Sequence, residues 1–267
     1  MTNKPAPIDF PSKVGIFWYS EFWPMRGAQE AAREIEALGF GSLFMPEASG
    51  KEALVQSAAF LAGTERLVVG TGIANIHVRI PSAAETGGRI LSALHPGRFV
   101  LGLGVSHAGF MEHATGGAYV KPLSMMRSYL ERMNAVPPEV EPGAARPARR
   151  LAALGPKMIE LSGNGADGAI PYLVTPGQTQ VTRSILGADP WIVSEQAVAI
   201  SGDRADQLRR ARAHLGMYLQ APNYRNSWLR QGFDESDFVP GGSGRLVRAL
   251  VGMGMLLWMS SGMFLIV

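Results

Sequence analysis

Short apolar runs alternate along this chain with longer stretches in which apolar residues recur at helical spacing. In the stretch 27–38, Ala31, Ile35 and Leu38 share one helix face, and Gly39 follows as a natural helix end. The pattern predicts strands at residues 13–19, 42–45, 66–73, 98–105, 151–154, 168–174 and 191–200. It predicts helices at residues 27–38, 52–62, 81–94, 121–136, 156–162, 179–186 and 205–219.

The regular alternation of strand and helix is typical of βα units. Strands that are apolar along nearly their whole length indicate a parallel sheet covered by helices. The chain has 267 residues, close to the roughly 250 of a (β/α)8 barrel. Neither Gly70-x-Gly72 nor Gly102-x-Gly104 extends to the GxGxxG sequence of dinucleotide-binding open sheets. We therefore predict an α/β protein with one TIM-barrel domain over residues 1–267.

The end of the chain has a different character. Residues 249–267 carry no charge, and their length just meets the roughly 18 residues of a membrane-helix candidate. A buried helix followed by an eighth strand at 263–267 is consistent with the same pattern. Because glycines and serines interrupt the segment, we do not expect it to cross a membrane. Without an eighth strand, the barrel would remain incompletely closed and expose an edge.

Composition excludes several functional classes. The formal net charge is only +3, and the densest basic patch, 204–212, contains acidic residues, as is typical of a solvated helix face and not of a nucleic-acid interface. With no cysteine, disulfides and thiolate chemistry are excluded. HExxH and GxSxG motifs are absent, so we expect neither a metal site nor a serine hydrolase. The N-terminus lacks the apolar run of a signal peptide, and we expect a cytoplasmic protein.

In a β/α barrel, the functional residues follow the carboxyl ends of the strands. That rule selects Trp18, Tyr19, Glu47, Gly72, Asn75, His77, Arg79, Ser106, His107, Gly155, Tyr172 and Glu195.

Four of these strand ends suggest specific chemistry, each with an ordinary structural alternative. Gly70 and Gly72 would let a flat ligand approach the backbone, or would simply permit a bulge. His107 can exchange a proton near neutral pH, or can be structural. Gly155-Pro156 opens a helix whose free N–H groups attract a phosphate, or forms a plain turn. Glu47 could contact a ring nitrogen or cap the next helix.

Several segments together resemble the luciferase-like monooxygenase family, and in particular its branch that uses the deazaflavin coenzyme F420. The resemblance covers about residues 14–250 and rests on the order and spacing of its segments, since no single motif is specific. The segments are GFGSLFMPEA (39–48), RLVVGTGIANIHVRIP (66–81), HPGRFVLGLGVSHA (95–108), LAALGPKMIEL (151–161), ADGAIPYLVTP (166–176) and APNYRN (221–226).

The resemblance implies a cofactor ring at the barrel mouth, above a non-prolyl cis peptide that corresponds here to Gly72–Ile73. It implies a phosphate-bearing tail near Gly155 and Pro156. His107 stands where related deazaflavin enzymes carry an acidic proton donor, and Ala48 where many carry a histidine. Residues 251–267 depart most, since relatives end in a charged helix and an eighth strand; a shift of reading frame near residue 251 would explain the change.

These features predict an oxidoreductase that transfers a hydride between the cofactor ring and a small organic substrate. We expect F420 as cofactor, with FMN as the alternative. His107 and Glu47 are the candidate catalytic residues, and Gly72, Ile73, Asn75, Ser106, Gly155 and Pro156 the candidate cofactor contacts. The alternative function is a degenerate barrel that binds a cofactor or ligand without catalysis. Relatives are often dimers, and the apolar tail could be buried in a homodimer interface.

Overall fold

The computed structural model describes residues 4–5, 7–48, 50–108, 111 and 121–254. Its short strands are buried as far as residue 169, as the apolar runs predict, and are partly exposed from residue 191 onward. They are β1 (Ile16–Phe17), β2 (Ser42–Met45), β3 (Val68–Thr71), β4 (Ala74–Asn75), β5 (Phe99–Gly104), β6 (Ala148–Leu151), β7 (Gly168–Ala169), β8 (Trp191–Ile192), β9 (Ala197–Ile200) and β10 (Val251–Gly254).

Helices follow most of the strands, and several of them have a proline in the first turn. They are α1 (Met25–Ala37), α2 (Ala53–Gly63), α3 (Pro81–Leu94), α4 (Pro122–Asn134), α5 (Pro156–Asn164), α6 (Pro176–Leu186), α7 (Arg204–Gly216), α8 (Pro222–Arg230) and α9 (Gly244–Leu250). Short 3-10 turns lie at Pro138–Val140 and Glu235–Asp237. Proline occupies the first turn of α3, α4, α5, α6 and α8, where its missing N–H costs no hydrogen bond.

The strands form a parallel sheet that curls into a half-barrel. Its order is β1-β2-β3-β5-β6-β7-β8, with β4 beside the end of β5, while β9 and β10 form a separate parallel pair. Within the described residues, no strand pairing joins the two sheets. The predicted α/β barrel architecture is therefore confirmed, and the described residues are consistent with incomplete closure.

Two strand predictions need correction. The strand predicted at 151–154 lies at Ala148–Leu151, because the buried arginines of ARRL contribute to it. The run 191–200 is divided into β8 and β9, which belong to different sheets. The last strand of the described chain, Val251–Gly254, directly follows α9. The strand predicted at 263–267 lies outside the described residues and stays a prediction.

Separate apolar clusters fill the fold. The largest lies between the first six strands and helices α1 to α4, and includes Phe60 and Leu101. A smaller one fills the interior of the curled sheet with Phe17, Phe44 and neighbouring aliphatic residues. A third packs β9 and β10 against α7, α8 and α9 around the fully buried Trp228. None of the helices in the described residues is long and apolar enough to span a membrane.

Candidate active site

A cavity of about 1510 Å³ opens at the carboxyl ends of the strands. Ligand pockets typically measure roughly 300–1,000 Å³, so this cavity has room for more than one small molecule. Most of the strand-end candidates line it. They are Trp18, Tyr19, Glu47, Gly72, Ile73, Ser106, His107, Gly155, Pro156 and Tyr172. Asn75, His77, Arg79 and Glu195 are not among the lining residues.

The cavity floor contains the Gly72–Ile73 peptide bond, which is cis. The glycines around it serve chiefly the packing of neighbouring side chains. A Cβ atom on Gly72 would lie 2.5 Å from Cε2 of Phe17, and one on Gly104 would lie 2.4 Å from Cγ1 of Ile73. At Gly70, the same atom would lie 2.1 Å from Cε1 of Phe44. Gly70 and Gly72 are thus required by the packing of neighbouring side chains, in addition to leaving the backbone open to a ligand.

Asn75 lies beside the floor, and its side chain is turned into the protein. Only 2% of the residue is exposed; its amide nitrogen donates to the Met111 sulfur, and its amide oxygen accepts from the backbone N–H of His77. Since it does not line the cavity, its contribution is to hold the turn after β4.

Glu47 connects the end of β2 to the segment after β3. Its carboxylate accepts backbone N–H bonds from Ala53 at 3.0 Å and Asn75 at 2.7 Å, and forms a two-point ion pair with Arg79. Both side chains are only 7% exposed. Because both carboxylate oxygens are occupied in this way, the geometry suits Glu47 to positioning the floor better than to carrying a proton.

His107 and Ser106 follow β5 on the cavity wall. Burial lowers the pKa of the His107 imidazole below its usual 6.5, and a hydrogen bond with Asn223 opposes the shift only in part. The imidazole is therefore neutral at pH 7 and able to accept a proton. Nδ1 has no hydrogen-bond partner in the described part of the chain, and the ring lies 5.5 Å from that of Tyr224. Ser106 adopts a left-handed conformation, with φ of 59°.

At another part of the cavity, Gly155 and Pro156 begin α5 as predicted. A Cβ on Gly155 would meet only Nη2 of Arg230, at 3.7 Å, so the helix N-terminus is accessible. Lys157 and Arg230 line the cavity beside it. Arg230 donates to the carbonyl of Leu154 at 3.2 Å, and in the described chain it forms no ion pair with a carboxylate. The arrangement suits an anion.

Helices α7 and α8 supply lining residues that the sequence analysis missed. The patch 204–212 is only partly a solvated face, because Arg209 and Arg210 border the cavity while paired with Asp206. His214 and Tyr218 continue the same side of the chain. The signal was available, since His214 lies beside buried Ala211 and Leu215 on one helix face, and Tyr218 follows four residues later, just after the helix ends.

Comparison with known proteins identifies the family. A model of the luciferase-like monooxygenase family matches residues 13–241. The chain belongs to the luciferase-like monooxygenases. A Mycobacterium tuberculosis protein, named provisionally as a coenzyme F420-dependent oxidoreductase, is 25% identical over 252 residues, which cover 78% of this chain and 72% of that protein.

Solved structures of the same fold include enzymes with either cofactor. An F420-dependent secondary alcohol dehydrogenase in complex with an F420–acetone adduct superimposes with a TM-score of 0.67 at 16% identity, covering 94% of both chains. The F420-dependent tetrahydromethanopterin reductase of Methanopyrus kandleri gives 0.70 at 15% identity, covering 93% of this chain and 87% of that one. The FMN-bound oxygenating component of a Pseudomonas putida diketocamphane monooxygenase gives 0.61 at 14% identity, covering 91% and 90%.

Proposed function

We propose that this luciferase-like protein is an F420-dependent oxidoreductase that oxidises a small organic alcohol, or reduces the corresponding carbonyl compound. The observation that carries the proposal is the juxtaposition, in one wide cavity, of the Gly72–Ile73 floor, the neutral imidazole of His107 and the cationic rim at α5. The F420-dependent relative favours the deazaflavin over FMN, which remains the alternative cofactor.

The residues present fit an anionic cofactor with a planar ring. Lys157, Arg230 and the N-terminus of α5 would hold a phosphate, because they provide positive charge and free N–H groups at one place. The exposed backbone at Gly72 and Ile73 would support the ring. When bound, the ring supplies the acceptor or donor of the hydride.

His107 handles the proton that accompanies the hydride. In the oxidative direction, the substrate loses a hydride from its carbon and a proton from its hydroxyl group, and a carbonyl compound is formed. The neutral imidazole accepts that proton, as a general base must. In the reductive direction, the imidazolium returns it to the carbonyl oxygen.

The test begins with binding. The purified chain is titrated separately with F420 and FMN, and the absorption spectrum of each is followed. F420 should bind more tightly, and the complex should exchange hydride with an alcohol or its ketone. Binding without turnover of any alcohol or ketone would support the alternative of a ligand-binding barrel, and no binding of either cofactor would refute the proposal.

A further inference from the structure

Tyr172 and Tyr218 form a pair of hydroxyl groups on the cavity wall. Tyr172 follows β7 and Tyr218 follows α7, and their hydroxyl oxygens are 3.0 Å apart. Both rings line the cavity. Tyr172 also packs against Phe17, with ring centroids 5.2 Å apart, and Phe17 in turn covers the space beside Gly72. The pair is therefore connected by direct contacts to the floor of the proposed active site.

The two hydroxyl groups carry one more hydrogen than the hydrogen bond between them uses. Two phenolic hydroxyls carry two hydrogens, and the bond between them uses one. Among the residues that the structure describes, neither hydroxyl makes another hydrogen bond. In the described part of the chain the second hydrogen has no acceptor, so it can be donated into the cavity, to an oxygen of a ligand.

Glu195 fixes the position of this pair. Its backbone N–H donates to the carbonyl of Pro171 at 3.0 Å, and its Oε2 accepts from the N–H of Leu173 at 2.9 Å. Tyr172 lies between these two anchored residues, and Leu173 is held in a left-handed conformation with φ of 51°. Glu195 is thus a positioning residue for the Tyr172 hydroxyl.

The surroundings favour an uncharged ligand. Burial raises the pKa of Tyr172 and Tyr218, and the nearby Glu195 carboxylate, only 5% exposed, raises both further. In its ionised form, Glu195 would also repel an anion at the pair. His214, whose ring lies 5.3 Å from that of Tyr218, has a pKa lowered by burial and is neutral at pH 7. The surrounding wall is largely aromatic.

We propose that the hydroxyl pair of Tyr172 and Tyr218 recognises the substrate by donating a hydrogen bond to its oxygen, and that the substrate is an uncharged, largely apolar alcohol or ketone. This inference rests on the proposed function and specifies the substrate class of the same cavity. The aromatic wall would bury the hydrocarbon part of the substrate, while the hydroxyl pair donates a hydrogen bond to the substrate oxygen.

The experiment compares two probes of similar shape, cyclohexanone and methylenecyclohexane, of which only the first can accept this hydrogen bond. Their dissociation constants are measured by ligand-observed NMR on the full chain, with and without F420. The ratio of the two constants is compared between wild type and Y172F/Y218F, so that the difference in hydrophobicity cancels. The double variant should lose about five- to tenfold of the preference for the ketone, which corresponds to one hydrogen bond.

The matched control is Y129F, because the Tyr129 hydroxyl donates to the carbonyl of Arg79 outside this cavity. It should keep the wild-type ratio. The single variants Y172F and Y218F keep the test available if the double variant unfolds, and the one that removes the ligand-facing hydroxyl should lower the ratio. An unchanged ratio in all folded Tyr172 and Tyr218 variants overturns the inference. The parallel F420 titration is a separate readout, so a failure to bind cofactor is distinguishable from a loss of ketone preference.

Discussion

The ring of Phe17 occupies the space that a side chain on Gly72 would need: a Cβ built there lies 2.5 Å from Cε2 of Phe17. Phe17 is 9% exposed and also packs against Tyr172, at a ring-centroid distance of 5.2 Å. Phe17, the last residue of β1, thus limits the size of the residue at position 72 in the cavity floor.

Replacing Gly72 with Ala should therefore lower the stability of the protein. The added methyl group displaces a packed aromatic ring, and overpacking of this kind costs about 1–3 kcal/mol. The control is G27A, since a Cβ at Gly27, within α1, meets nothing within 4 Å. Urea unfolding should show a lower free energy of unfolding for G72A than for wild type, and no decrease for G27A. Equal stability of G72A and wild type would mean that the Phe17 ring moves away from the added methyl group without a loss of stability.

Replacing His107 with Ala should reduce turnover far more than cofactor affinity. General acid–base groups typically contribute about 10²–10⁴-fold to the rate. The control is H95A, because His95 follows α3 and does not line the cavity. Steady-state kinetics with F420 and an alcohol would measure kcat, and spectral titration would measure the Kd of F420. Unchanged kcat in H107A would remove His107 from the mechanism.

The pH dependence of the two directions should be opposite. Burial lowers the pKa of His107 below its usual 6.5, so alcohol oxidation should rise with pH through that pKa and level off above it. Ketone reduction should instead increase as the pH falls, since the imidazolium is then populated. H107A should lack the ionisation in both profiles. The same inflection in H107A and wild type would assign it to another group.

Removing the positive charges at α5 should weaken cofactor binding. K157A and R230A should each raise the Kd of F420, and of FMN, by several-fold, because each removes one cation from the proposed phosphate site. Wild-type affinity should fall as salt is added. Lys13 precedes β1, is exposed and does not line the cavity, so K13A is the charge-matched control. Cofactor affinities that K157A and R230A leave as unchanged as K13A does would exclude this anion site.

Glu195 should make the protein less stable at high pH. Burial raises its pKa from the ordinary 4.5 to about 7, so folding takes up a proton in that range. Its contribution to stability is complete below about pH 4.5, decreases as the pH rises and is lost above about pH 7, a change on the order of 3 kcal/mol.

E195Q removes this ionisation but keeps an oxygen that can accept from Leu173. Thermal unfolding should show a higher Tm than wild type at pH 8 and a similar Tm at pH 4.5. The control is E160Q, at an exposed position of α5. A lower Tm for E195Q than for wild type at pH 8 would contradict the shift.

The sequence predicted the elements that depend on local patterns. β2 and α3 have the predicted bounds, and His107, Gly72 and Gly155 lie on one cavity because parallel strands place their carboxyl ends together. His214 and Tyr218 were not found, because the rule that selects strand ends considers neither residues on a helix nor those that directly follow one. The role of Glu47 depended on Arg79, a partner 32 residues away in the chain.

By itself, the sequence determined that the chain is a parallel β/α protein with its reactive groups at one end, since hydrophobic spacing and glycine positions are local properties. Only the tertiary structure decided where the sheet stops, that Phe17 fills the place beside Gly72, and that the two hydroxyls of Tyr172 and Tyr218 meet. Each of these depends on the distance between residues far apart in the chain, and that distance is set by how the helices and sheets pack against one another.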